Sequence, residues 1–208
     1  MAELWARGTV AHLLAQPWLG RDTSVLDFGC GYFDVGLALA NRVQRIDGLE
    51  IDAHSLEVAK RRSAQLTATR IFRSNAEVPT GLYDLILANS VFQYLGDDDA
   101  IRDTLRRFKT WLKPGGRGEV LLVDLIPSGY SPARDALHSL LVAARYGILP
   151  SMMRYLWSAA FRRRGLSWRR IDPNLLGDLA GEAGFAVKQL PANLAPSRRR
   201  YSCVLRVT

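Results

Sequence analysis

Hydrophobic and polar positions along the chain change period several times, and each change marks an element. Val25, Leu26 and Phe28 form a short apolar run that meets the turn Gly29-Cys30-Gly31, after which Val35, Leu37, Ala38 and Leu39 recur at helical spacing. That is the pattern of a buried parallel strand, a tight turn and a helix, the opening of a doubly wound sheet. Upstream, Leu4, Trp5, Val10, Leu13 and Leu14 share a face of a predicted helix over 3–15 despite Gly8, and Pro17 and Gly20 end it. A helix is expected over 53–65, with Leu56, Val58 and Ala59 inward and Lys60, Arg61 and Arg62 as a solvated end. Asp97, Asp98 and Asp99 open another helix, where carboxylates suit the positive end of the dipole, and Ile101, Leu105, Phe108 and Leu112 give its buried face. Phe92 to Leu95, just before it, is expected to wall a site. Asp172-Pro173 starts a late helix, as an N-cap Asp with Pro at the first helical position, and Gly184 ends it. Phe185 to Leu190 and Tyr201 to Val207 read as the last two strands.

The candidate chemistry begins at the glycine turn. Gly29 and Gly31 let the main chain turn sharply and pass close to a ligand, because no Cβ stands in the way. A dinucleotide loop would read G-x-G-x-x-G, but the third position is Asp34, a carboxylate where a pyrophosphate needs close backbone contact. What stands instead is Asp27-x-Gly29-x-Gly31, with the acid at the strand end. An acid there suits a ligand with a cationic centre and an ammonium group, such as S-adenosylmethionine (SAM). On these residues the stretch resembles the first motif, D/E-x-G-x-G, of the class I SAM-dependent methyltransferases.

The resemblance runs from about residue 20 to 126. Ile46 to Lys60 resembles the family's second strand and following helix, which implies that Glu50, with Ile51 beside it, grips the ribose hydroxyls; two carboxylate oxygens can accept from both. Arg73 to Pro79 resembles the segment that reads the adenine amino group, implying roles for Asn75 and Ala76; Asn75 stands where the family more often has Asp, and its amide oxygen can accept the same bond. Tyr83 to Ser90 resembles the fourth strand and the loop facing the methyl group, implying Asn89 and Ser90. Trp111 to Gly116 resembles the turn before the fifth strand, here Gly118 to Leu125, and the last two strands resemble the antiparallel hairpin that closes the sheet. The implied fold is α/β, a doubly wound, mostly parallel seven-stranded sheet in one domain over 1–208, with a helical cap at 127–170 inserted after strand 5. The implied cofactor site is Asp27, Gly29, Cys30, Gly31, Glu50, Ile51, Asn75, Ala76, Asn89 and Ser90, and the implied product is S-adenosylhomocysteine (SAH). Phe33 departs from the family, which commonly carries a small residue there: the ring either shapes the pocket at the cofactor's amino-acid end or weakens binding.

Composition narrows the setting. At 208 residues with 48% apolar content, one domain with a large core is expected. Cys30 and Cys203 give neither a disulfide framework nor a metal spacing, and with His12, His54 and His138 scattered no metal site is expected. A reducing, cytoplasmic location follows as the default. No leader of basic-then-apolar layout is legible, and no apolar run approaches the roughly 18 residues of a membrane span. The net charge of +8 is concentrated in the cap, where eight arginines face one acid, Asp135. Three explanations fit: a pocket for an anionic or partly apolar small molecule, a peripheral contact with an anionic membrane surface, or binding to nucleic-acid phosphates. The first is preferred, because Asn89-Ser90-Val91-Phe92 lacks the Asn/Asp-Pro-Pro-aromatic motif of enzymes that methylate base amines.

The reaction expected is methyl transfer from SAM to an oxygen or nitrogen of a small-molecule acceptor, anionic or lipid-like. For an oxygen acceptor a general base helps, and His138 and Tyr130 are the candidates; Tyr94, Arg145 and Arg154 are candidate substrate contacts, and Arg7 a candidate for the SAM carboxylate. The alternatives are a non-catalytic protein that binds SAM or a phosphate ligand, a nucleic-acid methyltransferase, or an NAD(P) oxidoreductase that Asp34 disfavours.

Overall fold

The computed structural model describes residues 2–115, 118–131 and 168–208, with 140, 141, 144, 147, 150 and 153 between them; for residues 2–5 it describes backbone alone. His138, Arg145, Arg154 and most of the expected cap helices lie outside the described residues.

The described elements are α1 (Ala2–Leu14), β1 (Ser24–Phe28), α2 (Asp34–Leu39), β2 (Arg45–Leu49), α3 (Ala53–Ser63), β3 (Ile71–Phe72), β4 (Leu85–Asn89), α4 (Asp98–Trp111), β5 (Glu119–Leu125), α5 (Pro173–Glu182), β6 (Phe185–Gln189) and β7 (Tyr201–Val207). The strands form one seven-stranded sheet in the order β3-β2-β1-β4-β5-β7-β6. β1 pairs in parallel with both β2 and β4, and β7 runs antiparallel between β5 and β6. This is the α/β fold expected, with its closing hairpin. β1 is buried at all five positions, which is why it reads as a near-continuous apolar run: helices cover both faces of a parallel strand.

The two faces form two cores. On one, Leu26, Phe28 and Ile86 pack against Ile101, Leu105 and Phe108 of α4 and Leu176 and Leu179 of α5, and the Phe28 and Phe108 rings meet edge-on at 4.9 Å. On the other, Val25, Leu85 and Leu121 pack under Ala6 and Leu13 of α1 and Val35 and Leu39 of α2. α1 can lie close because of Gly8: a Cβ there would come within 1.9 Å of the Leu194 carbonyl oxygen. The glycine that weakens this helix by propensity is thus where it crosses the connection between β6 and β7.

One local expectation is corrected and a second is extended. Asp172 precedes Pro173 as expected, but its carboxylate does not cap α5; it accepts from the Ser128 backbone N–H at 2.7 Å and from the Ser128 hydroxyl, tying α5 to the exit of β5. Lys60, Arg61 and Arg62 are exposed as expected, but Arg62 is also anchored, its guanidinium donating to Asp34 and to the Tyr32 carbonyl, both at 2.7 Å. Asp97 does cap α4, accepting from the Ala100 N–H at 2.8 Å. Among the described residues no helix is long and apolar enough to cross a membrane.

Candidate functional site

The strand order reverses between β1 and β4, and in an open α/β sheet the crevice for a ligand lies at the carboxyl ends of the strands at such a switch point. A crevice of about 320 Å³ lies there. Of the residues expected at a cofactor, Asp27, Gly29, Cys30, Gly31, Asn89 and Ser90 line it. The structure adds Tyr32, Asp34 and Val35 from the turn and α2, Ser55 from α3 and Ala6 from α1. Arg7 is exposed and does not line it, so at this position α1 contributes its neighbour Ala6.

The turn has physical reasons at each position. Gly29 and Gly31 adopt φ of +69° and +54°, and at Gly29 a Cβ would also strike the Val91 side chain at 2.5 Å. Around Gly31 nothing lies within 4 Å of that position, so there the backbone faces open crevice. Phe33 is left-handed too, at φ 63°, yet its ring is fully buried and absent from the crevice lining. The ring lies beneath α2, where a Cβ on Gly36 would come within 2.2 Å of it and one on Gly48 within 3.1 Å. The ring therefore does not shape the pocket wall directly: it is packed under the turn, and the small residue it requires is Gly36.

Three carboxylates converge on this turn. Asp34 is paired with Arg62. Glu50 is held in place by accepting from the Gly31 and Asp52 N–H groups, each at 2.8 Å, which fixes it at the rim beside the turn. Asp27 is buried with no cation paired to it among the described residues, and desolvation, followed by the charges of Glu50 and Asp34, pushes its carboxyl up to about 7. Burial likewise drives the Cys30 thiol well above its ordinary range, so it is an inert wall. Glu50 and the other three expected residues lie outside the lining: Ile51 projects at 80% exposure, Ala76 is exposed, and Asn75 presents a side-chain oxygen that is buried without a hydrogen-bond partner.

Beside Ser90 the structure holds a polar cluster that the sequence did not foretell. Asp124, near the end of β5, sits where the β5–β7 register shifts and takes φ 69°. Ser90, just past β4, takes φ 58°. Their side chains are joined, Ser90 Oγ donating to Asp124 Oδ2 at 2.7 Å. Arg200 Nη1 donates to the same oxygen at 2.7 Å, Asn193 Nδ2 donates to Oδ1 at 3.1 Å, and Arg200 Nη2 donates to the Tyr130 hydroxyl at 3.0 Å. Arg200 also lies over the Tyr130 and Trp168 rings, 5.0 and 5.4 Å from their centroids. A signal did exist: Asp27, Asn89 and Asp124 each place a polar residue near the end of an otherwise apolar central strand. Tyr130 is buried in this cluster and outside the crevice lining, and Tyr94 is exposed at 61%. Phe92 packs in the core, and none of residues 92–95 lines the crevice over the glycine turn. Among the described residues no group of His, Cys, Asp or Glu has the geometry of a metal site.

Comparison with known proteins supports the resemblance. A sequence profile described as a methyltransferase domain matches residues 26–117, from β1 to the turn before β5. Over that stretch and beyond it, the chain is similar to class I S-adenosylmethionine-dependent methyltransferases. Among curated methyltransferases, it is 27% identical over 170 residues to malonyl-[acyl-carrier protein] O-methyltransferase of Halalkalibacterium halodurans, covering 75% of this chain and 56% of that protein. It is 30% identical over 165 residues to trans-aconitate 2-methyltransferase of Rhizobium etli, covering 77% and 57%. Magnesium protoporphyrin IX methyltransferase from Synechocystis PCC 6803, solved with bound SAH, shares the fold at TM-score 0.64 and 15% identity over 99% of this chain and 82% of that one. The chain spans between 23% and 57% of the length of the curated relatives it matches. The family's cofactor is SAM, and the residues present fit it: an acid-lined crevice for a cation, an open glycine turn, and a buried acceptor at Asn75 that lacks a donor.

Proposed function

We propose that the chain transfers a methyl group from SAM to an oxygen or nitrogen of a small-molecule acceptor, anionic or lipid-like. The observation that carries this is the buried carboxylate of Asp27, with no cation paired to it among the described residues, in a glycine-lined crevice at the switch point. SAM, when bound, supplies an electrophilic methyl on a sulfonium centre. Asp27 and the flanking carboxylates stabilise the cation and its ammonium group. Glu50 accepts from the ribose with the lone pairs left by Gly31 and Asp52, Ile51 covers the adenine, and the free oxygen of Asn75 accepts from its amino group. Asn89 and Ser90 stand at the methyl end. Holding the acceptor in line there is proximity catalysis. The relatives named for malonyl-[acyl-carrier protein] and trans-aconitate support an acceptor of anionic character, without fixing which of its atoms takes the methyl.

The test is calorimetric titration with SAM, SAH and NAD, followed by a screen for SAH release across phosphorylated, prenylated, phenolic and carboxylic metabolites. SAM binding with SAH release is expected. Binding without release across the screen supports a non-catalytic SAM-binding protein, and binding of NAD alone refutes the reading.

A further inference from the structure

Ser90 has one proton, and the structure shows where it goes. Its hydroxyl donates to Asp124 Oδ2 at 2.7 Å, and the nearby Asn89 Oδ1, at 3.4 Å, is a longer and weaker alternative. A hydroxyl with its proton so committed offers only lone pairs to the crevice it lines. The arrangement is held against backbone preference: two adjacent non-glycine residues at strand ends, Ser90 and Asp124, both stand in the left-handed region. Such strain persists only where surrounding structure enforces it, and it concentrates at functional sites. Here the enforcement is the bulge in β5, the Asn193 amide that both donates to Asp124 Oδ1 and accepts from its backbone N–H at 3.3 Å, and the Arg200 guanidinium.

Resting on the methyl transfer proposed above, we infer that Ser90 and Asp124 form a proton relay, and that the acceptor is therefore a neutral hydroxyl, an alcohol or phenol, rather than an ionised carboxylate. The acceptor O–H donates to Ser90 Oγ. As its oxygen takes the methyl, its O–H bond breaks and that proton passes to Ser90 Oγ, while the proton of Ser90 passes to Asp124 Oδ2; solvent later removes it. An ionised carboxylate has no proton to give to the relay, and its charge would face the lone pairs of Ser90, whose own proton is committed to Asp124. The charged and titratable groups facing Asp124 among the described residues are Arg200, from the β6–β7 connection, and beyond it Tyr130. Burial raises the Asp124 carboxyl, and Arg200, Ser90 and Asn193 pull it back, so it is a better proton acceptor than an exposed Asp while remaining paired. Asp124 acts through Ser90 and is a positioning residue in the ground state.

The test uses the SAH complex of the full chain, with no turnover needed. Calorimetry first establishes SAH binding; its failure sinks the methyltransferase reading itself. With SAH bound, millimolar phenol and benzoate are titrated while the amide NMR signals of Asn89 and Ser90 are followed. Phenol is expected to shift both and benzoate neither. Ser90→Gly, which removes the hydroxyl while easing the left-handed backbone, should weaken phenol binding at least tenfold and by more than it weakens SAH binding. In carbon-13 spectra the Asp124 carboxyl should titrate above the ordinary carboxylate range, and Ser90→Gly should move that midpoint. Equal shifts with benzoate, unmoved Asn89 and Ser90 signals with phenol, or phenol affinity unaffected by Ser90→Gly would each overturn the relay while leaving SAH binding intact.

Discussion

Replacing Asp27 with Asn should stabilise the folded chain and weaken its hold on SAM, two effects of opposite sign from one carboxylate. Burial and the charges of Glu50 and Asp34 raise its pKa from 3.8 to about 7. The folded chain therefore keeps a proton between those values that the unfolded chain has released, so stability falls as pH rises through that window and the loss is complete above it. Three pH units at 1.36 kcal/mol each make that loss about 4 kcal/mol. Asp27→Asn removes the charge, so its melting temperature should exceed the wild type at pH 8, by roughly 2–4 °C for each kcal/mol recovered in a chain of this size, and the gap should close as pH falls toward the unfolded value of 3.8. Binding runs the other way. The carboxylate's interaction with the ligand's cation should make SAM affinity at least tenfold lower in the variant, about 1.4 kcal/mol. In the wild type the affinity should fall about tenfold between pH 8 and pH 6, as Asp27 takes its proton, and the variant should lack this slope. Differential scanning calorimetry at both pH values and isothermal titration with SAM measure the two halves. A variant no more stable than wild type at pH 8, with unchanged SAM affinity, would refute the electrostatic account of the crevice.

Gly36→Ala should destabilise by about 1–3 kcal/mol, although Ala favours a helix, because the new methyl meets the Phe33 ring; adding Phe33→Leu should recover much of the loss in denaturant titration, and no recovery would remove Phe33 as the cause. Glu50→Gln, titrated with SAH, should lose about tenfold in affinity, through weaker bonds to the ribose and a looser anchor for Gly31 and Asp52. Cys30, buried and with its thiol held protonated, should resist iodoacetamide in the native chain at pH 8 and react only on unfolding; rapid native labelling would show a turn more open than described.

How much of this was legible depended on whether a residue's role is set by its neighbours in sequence or in space. The glycine turn, Asp27 and Glu50 were readable because a parallel strand must end in a turn at its carboxyl edge, and the next strand's end returns to the same edge a fixed distance on. The hairpin β6–β7 was readable for a similar reason, as two short alternating runs around a polar connection. Asp124 was not, since its partners Ser90, Asn193 and Arg200 are 34, 69 and 76 residues away and only the β5 bulge turns it toward them. Arg200 is one of three consecutive arginines, 198–200, that sequence does not tell apart, yet it is the one bonded to Asp124. Phe33 shows the same limit at short range. A small residue at that point in a glycine turn is a statement about the space between turn and sheet, and sequence assigns that space to the residue itself. In this chain the ring is turned inward at φ 63° and the space is supplied from below, by Gly36 one helical turn on and Gly48 in β2. Since the ring then fills a core position and leaves the crevice to Gly29, Cys30 and Gly31, the departure at Phe33 and the glycines at 36 and 48 are one packing solution.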